Sequence, residues 1–217
     1  MQIINFAETD SLVSQYMLEL RSVDVQSDRL RFRRNLERIG EIMAYDISKT
    51  LDYKSIDVTT PLGVAPSRTI ASQVVLATIF RAGLPFHQGF LNFFDKAENA
   101  FVSAYRKVKE HHEFDVMIEY LASPVLEGKT VIIADPMLAT GASMELSYRA
   151  LLTKGMPARI HVASVIASQQ AVDYVASRFP ADRTTLWVGA IDSKINENSY
   201  IVPGLGDAGD LSFGEKE

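Results

Sequence analysis

Charge-free apolar runs alternate with stretches of helical spacing along most of the chain. Val131-Ile132-Ile133-Ala134 is β-branched and uncharged, and it breaks at Asp135-Pro136, where proline removes a backbone donor. Val74 to Phe80, Arg159 to Ala167 and Leu186 to Asp192 read the same way, as strands buried on both faces. Between them lie helical patterns. Thr9-Asp10-Ser11 offers cap chemistry before Leu12, Tyr16 and Leu20, and a longer amphipathic stretch from Ser27 or Asp28 carries Leu36, Ile39, Met43 and Ile47. Further helices are predicted over Pro85 to Ala97, Glu145 to Leu152 and Gln169 to Phe179, the last stopped by Pro180. Ile56-Asp57-Val58-Thr59 alternates as an edge strand and breaks at Pro61-Leu62-Gly63 into an irregular stretch to Ser67. Phe101 to Tyr105 reads as a short strand. The strand-helix-strand order predicts an α/β fold, a parallel sheet flanked by helices, with ligands gathering beyond the carboxyl ends of the strands.

Composition narrows the partners more than the fold. With 217 residues the chain suits one core with an appended subregion, so residues 1–217 are expected to form a single domain. The hydrophobic share is 47% and the charged share 23%, as in a soluble globular protein. A net charge of −5 argues against a nucleic-acid surface and leaves room for a local basic pocket. There is no cysteine, which removes disulfides and thiolate chemistry. No apolar run approaches membrane-spanning length and no targeting pattern opens the chain, so a cytoplasmic protein without a membrane partner is expected.

Candidate chemistry clusters after the strands. Asp135, Pro136, Met137, Leu138, Ala139, Thr140, Gly141, Ala142 and Ser143 form a small-residue stretch with two hydroxyls leading into a helix. Backbone N–H groups and a helix N-terminus suit a phosphate there, although an ordinary βα connection would use similar residues. No lysine follows the glycine and no three-glycine fingerprint is present, so triphosphatase and dehydrogenase readings start weak. Arg81-Ala82-Gly83 and the basic cluster from Arg106 also follow strands and could meet a second anion. Glu110-His111-His112-Glu113 lacks a ligand spacing and reads as a surface loop, His161 as a core or edge histidine, and the arginines of the second helix as a solvated face. The tail from Tyr200 to Asp210 is punctuated by glycine and proline around two acids, which brings bare backbone against a small planar ligand.

Taken together, Asp135 to Ser143, Tyr200 to Asp210, Arg81-Ala82-Gly83-Leu84 and Thr60-Pro61-Leu62-Gly63 resemble the uracil phosphoribosyltransferase family in order and spacing, from about the second helix to the C-terminus. The resemblance implies the type I phosphoribosyltransferase fold, with a small hood for the base to which the N-terminal helices and the C-terminal segment contribute. It implies transfer of the phosphoribosyl group of 5-phospho-α-D-ribose 1-diphosphate (PRPP) to uracil, giving UMP and diphosphate in pyrimidine salvage. By this resemblance Asp135 to Ser143 hold the ribose and its 5-phosphate, while Arg81 and Arg106 contact the diphosphate side. Ile201, Gly206 and Ala208 present backbone groups to uracil, with Asp207 beside them serving the magnesium-linked PRPP. Asp207 and Arg106 are the implied catalytic residues, and Mg2+ arrives through PRPP rather than on a protein cage. The family also implies a homo-oligomer and, for some members, GTP as an effector.

Three positions depart from the family pattern. Ala142 replaces a frequent second glycine, Lys107 to Ser123 lacks the usual acidic run, and the first twenty residues match poorly. Two other functions remain open on the residues alone: transfer to another base, for which the compressed Pro203 to Gly209 segment is tight for a purine, and a regulatory protein that binds nucleotides or RNA.

Overall fold

The computed structural model describes residues 1–108 and 114–215. The chain opens with β1 (Gln2–Asn5), a 3-10 turn, α1 (Leu12–Arg21) and α2 (Arg29–Ser48). A hairpin of β2 (Tyr53–Thr60) and β3 (Gly63–Ile70) follows, then β4 (Val74–Phe80), α3 (Gly83–Leu91), β5 (Glu98–Val108) and β6 (Phe114–Ala122). The second half runs β7 (Thr130–Ala134), β8 (Met137–Leu138), α4 (Ala142–Leu152), β9 (Arg159–Ser168), α5 (Gln169–Arg178) and β10 (Thr184–Asp192). It closes with β11 (Lys194–Ile195), β12 (Ile201–Val202) and α6 (Ala208–Phe213).

The central sheet has the order β1-β10-β9-β7-β4-β5-β6, and every neighbouring pair is parallel except β5 with β6. Side chains alternate across it as strand geometry requires. Leu76, Ile132, Ala163, Val165 and Trp187 pack against α1, α2 and α3, while Val75, Ala77, Val131, Ile133 and Val162 pack against α4 and α5. Burying each such Ile, Leu or Val stabilises the fold by roughly 2 kcal/mol relative to exposure. Chain order reverses between β4 and β7: β5 lies on one side of β4, while β7, β9 and β10 spread on the other. Their carboxyl ends define the switch point where open α/β sheets accept ligands.

Several elements differ from expectation for physical reasons. The stretch Ile56 to Thr59 is not an edge of the sheet, because β2 pairs with β3 in a separate two-stranded arm. Residues 63 to 67 belong to β3 rather than to an irregular stretch, since a tight turn at Pro61-Leu62 folds the chain directly back. The arm is solvated on both faces, so its second strand shows no apolar alternation. The third helix ends at Leu91 instead of Ala97, and β5 is eleven residues long rather than the five from Phe101 to Tyr105. Strand β6 escaped the pattern because it pairs on one side only, with a register irregularity at Ser103/Ala104. Glu110 to Glu113 lie outside the described residues.

Candidate active site

Strand β7 stops where expected, and the chain then turns rather than wandering. The Asp135 N–H donates to the Ala163 carbonyl at 3.1 Å and the Ile166 N–H to the Pro136 carbonyl at 3.0 Å, so the strand end stays fastened to β9. Met137 and Leu138 resume pairing with Ile166 and Ala167 as β8. Pro136 and Leu138 are buried, which leaves backbone as their contribution to any ligand. Asp135 is itself 9% exposed, and its Oδ1 accepts the Met137 N–H at 3.3 Å.

The following helix begins at Ala142, three residues earlier than Glu145, with Gly141 as its cap residue. Gly141 has φ +84°, and a Cβ there would fall 2.7 Å from the Tyr174 ring, so both conformation and space demand glycine. Ala142 and Ser143 are thus first-turn residues, and the Ala142 methyl is accommodated in the helix. The Ala142 N–H reaches Thr140 Oγ1 at 3.4 Å, a long contact that ligand binding could replace. Behind the loop, the Tyr174 hydroxyl donates to Glu145, which also accepts from Arg149 at 2.6 Å. The Tyr174 bond is the main cause holding the Glu145 carboxyl below its usual range, with Arg149 reinforcing it against burial, and the same bond raises Tyr174.

Arg81 follows β4 beside this loop. A Cβ on Gly83, in the same turn, would lie 3.1 Å from the Ala134 carbonyl, so the two strand ends meet closely. Arg81 Nη2 donates to Asp210 Oδ1 at 2.8 Å and Nη1 to the Gly214 carbonyl at 3.3 Å, which brings the C-terminal segment over the same edge. There Asp207 caps α6, its Oδ1 accepting the N–H groups of Gly209 at 2.8 Å and Asp210 at 3.0 Å. Ile201 and Ala208 are buried and Gly206 is exposed. Gly206, Asp207, Asp210 and Leu211 line a cavity of about 360 Å³ with Gln26 and Arg29. A second cavity of about 390 Å³, at the end of β4 and beside β5 and β6, is walled by Phe80, Phe101, Ser103 and Tyr120. The structure therefore brings Arg81, Asp135 to Ser143 and Ile201 to Asp210 to one edge.

A model of the uracil phosphoribosyltransferase family matches residues 7–215. The chain belongs to that family. Uracil phosphoribosyltransferase of Porphyromonas gingivalis is 61% identical over 216 residues, covering all of both chains. That of Methanothermobacter thermautotrophicus is 40% identical over 189 residues, 86% of this chain and 85% of the relative. Among solved structures, the AQ2163 protein of Aquifex aeolicus superposes with a TM-score of 0.87 at 28% identity over 98% of each chain. A hypoxanthine phosphoribosyltransferase of Staphylococcus aureus shares the fold at a TM-score of 0.50 and 15% identity, over 75% of this chain and 76% of that one. The fold is that of type I phosphoribosyltransferases. The match to the family model begins at residue 7, well before the second helix from which the motifs alone show the resemblance.

Residue by residue, Arg106 stands in β5 opposite Val116 of β6, and its side chain lies outside the described residues. His161 is in the core as expected: its Nδ1 accepts from Trp187 Nε1 at 3.1 Å, and burial pushes its pKa down to about 4. The arginines of α2 are mostly a paired, solvated face, as with Arg31 on Glu19 and Arg34 on Glu37. Arg33 is the exception, since its Nη1 donates to the Ser212 carbonyl at 2.7 Å and ties α2 to the C-terminal segment. Sequence reasoning also missed Asp192, 12 residues from Gly204, and Arg21 and Gln26, which reach that segment over 183 and 179 residues. For Asp192 the available signal was an acid at the end of a buried strand, much as Asp135 directly follows β7.

Proposed function

We infer that the chain transfers the phosphoribosyl group of PRPP to uracil, giving UMP and diphosphate. Support comes from family membership together with one observation: the Arg81 turn, the Asp135 loop and the Gly206 to Asp210 segment meet at the β4/β7 switch point. In this reading Asp135 to Ser143 cradle the ribose and its 5-phosphate. Gly141 sets the loop, and the amides opening α4 face the anion with the helix dipole behind them. Arg81 and Arg106 take the diphosphate side. Ile201, Gly206 and Ala208 read the edge of uracil with backbone groups, which a cytosine amino group would leave unpaired.

Bond breaking at the anomeric carbon builds positive charge on the ribose and negative charge on the departing diphosphate. Arg81 stabilises the second, and the carboxylates of Asp135 and Asp207 tolerate the first. Arg81 is held by Asp210 before substrate arrives, so PRPP takes over a guanidinium already aimed at the edge. No residue forms a covalent bond to the ribose; positioning and exclusion of water carry the rate.

Magnesium would enter with PRPP. No cluster of three His, Asp or Glu side chains suits a metal among the described residues. The available donor is Asp207, whose Oδ1 is engaged by two amides while Oδ2 makes no hydrogen bond among the described residues. One carboxylate oxygen plus substrate phosphates and water is the donor set this ion prefers. When bound it would supply charge neutralisation on the diphosphate.

The same reading takes residues 1–217 as one domain, with α1, α2 and the C-terminal segment forming the hood. It also makes the protein a cytoplasmic homo-oligomer; no helix among the described residues is long and apolar enough to cross a membrane. In support of self-association, Ile56, Val58, Leu62 and Val64 are exposed on the β2/β3 arm, which pairs with no other strand among the described residues. GTP as an effector belongs to the reading only as a family trait. Turnover by purified protein, with uracil, cytosine and hypoxanthine in parallel, tests it: UMP from uracil alone is expected, and a nucleotide from another base or none from uracil would overturn it.

A further inference from the structure

Arg21 closes α1 and Asp192 closes β10, and the two meet in a two-pronged pair. Arg21 Nη1 donates to Asp192 Oδ2 and Nη2 to Oδ1, both at 2.8 Å. Around this pair Gly204 is held by both of its backbone groups. Its carbonyl accepts from Arg21 Nη1 at 3.0 Å, and its N–H donates to Asp192 Oδ2 at 2.8 Å. Gly204 has φ +64°, and a Cβ there would lie 2.1 Å from the Ile201 carbonyl, so the clasp closes on bare backbone. Gln26 Nε2 adds a bond to the Leu205 carbonyl at 3.3 Å.

The pair is built to orient. Asp192 is 8% exposed and Arg21 27%. Burial pushes the Asp192 carboxyl up, but the Arg21 bonds and the Gly204 N–H outweigh it and hold the group below its usual range. A fork-shaped guanidinium on a buried carboxylate fixes direction as well as charge. Neither residue has a part in the bond-breaking step.

We propose that Arg21 and Asp192 are positioning residues for base recognition: by clasping Gly204 they fix the backbone on either side of it, where Ile201 and Gly206 read uracil. The inference rests on the assignment of that segment to the base. Uracil is small and rigid, and backbone donors have no rotamers with which to follow it. A displacement of about 1 Å in the segment therefore loses hydrogen bonds outright. PRPP is gripped by other elements, at the β7/α4 loop and the β4 turn, and Asp207 keeps its own ties to Gly209 and Asp210. Loosening the clasp should raise KM for uracil and spare KM for PRPP.

The experiment measures KM for each substrate, kcat, the uracil-to-cytosine preference and the thermal midpoint for Arg21→Met, Arg21→Lys, Asp192→Asn and Gly206→Ala. A methyl at Gly206 meets only Leu211 Cδ1, at 3.5 Å, but Gly206 has φ +94°, so that variant strains the backbone of the segment directly without a steric clash. Arg21→Met should raise KM for uracil on the order of tenfold and weaken the preference against cytosine, with KM for PRPP within about twofold. Arg21→Lys, which keeps the charge and loses the fork, should fall between Arg21→Met and the wild type, and it decides the matter if Arg21→Met does not fold. An unchanged uracil KM in the Arg21 and Asp192 variants, with Gly206→Ala impaired, would overturn the positioning role and leave the base-site reading standing. Equal losses for both substrates, following the thermal midpoint, would reduce the pair to a structural brace and overturn the inference too. Unchanged uracil KM in Gly206→Ala as well would remove the base-site assignment itself.

Discussion

The loop from Asp135 to Ser143 is fastened by its own residues and by the next strand, while the segment from Ile201 to Gly214 is also fastened by residues more than a hundred positions away. In the loop, Asp135 and Thr140 accept N–H groups two residues along, and Ser168 Oγ reaches Ala139 from 29 residues away. In the C-terminal segment, Arg21 reaches Gly204 over 183 residues, Arg33 reaches Ser212 over 179 and Arg81 reaches Asp210 over 129. An anion can be held by amides that one strand-turn-helix unit supplies. A flat base needs donors and acceptors at fixed spacing on an irregular chain, and such a chain is rigid only where other elements hold it.

Separating the two jobs of Asp207 would sharpen that contrast most. Asparagine caps a helix about as well as aspartate, so Asp207→Asn should keep the α6 cap and the thermal midpoint while kcat/KM falls by about 10²–10³ through lost charge beside PRPP. Asp207→Ala loses the cap as well, about 1 kcal/mol of stability, and is the less clean variant. Turnover near wild type in Asp207→Asn would leave capping as its only role.

Next in size is Gly141→Ala, which forces φ +84° on a β-carbon and drives it against Tyr174. A loss of about 10² in kcat/KM, expressed mainly with PRPP, should accompany a thermal midpoint lower by roughly 2–8 °C. Equal loss of affinity for uracil would contradict the separation of the two sides. Asp210→Asn should be milder: a partly exposed pair is worth little in stability, so KM for PRPP is expected to rise only about three- to tenfold, with the thermal midpoint nearly unchanged.

The smallest effect on turnover belongs to His161, beneath the site. Its pKa in the folded chain, about 4, lies under the ordinary 6.5, so the unfolded chain takes up the proton more readily. Stability should be full above about pH 6.5 and decline as pH falls toward 4. Between pH 7.5 and 5 the decline is about 2 kcal/mol, read from urea midpoints. His161→Gln retains an acceptor for Trp187 without titrating, and it should flatten the decline while leaving kcat at pH 7.5 close to wild type.

The same contrast governs what could be read from the amino acids. Strands β4, β7, β9 and β10 announce themselves because both faces are buried and their apolar runs are uninterrupted. The loop from Asp135 to Ser143 was legible for a related reason, since the φ of +84° at Gly141 and the Thr140 hydroxyl belong to the turn itself. Strands β3 and β6 were not, because β3 carries Pro66, Ser67, Arg68 and Thr69 where an apolar run would stand and β6 pairs on one side only. The clasp at Gly204 was invisible because Arg21 and Asp192 look ordinary until folding brings α1 against the end of β10. The punctuation of the tail signalled a constrained segment, and nothing in it named the residues that constrain it.

The Gly204 N–H, given to a buried carboxylate in an otherwise irregular stretch, is a natural isotope clock. Loop amides normally trade hydrogen for deuterium quickly; this one can do so only when Asp192 lets go. Its protection therefore reports the free energy of opening this clasp in the resting protein, with no probe attached.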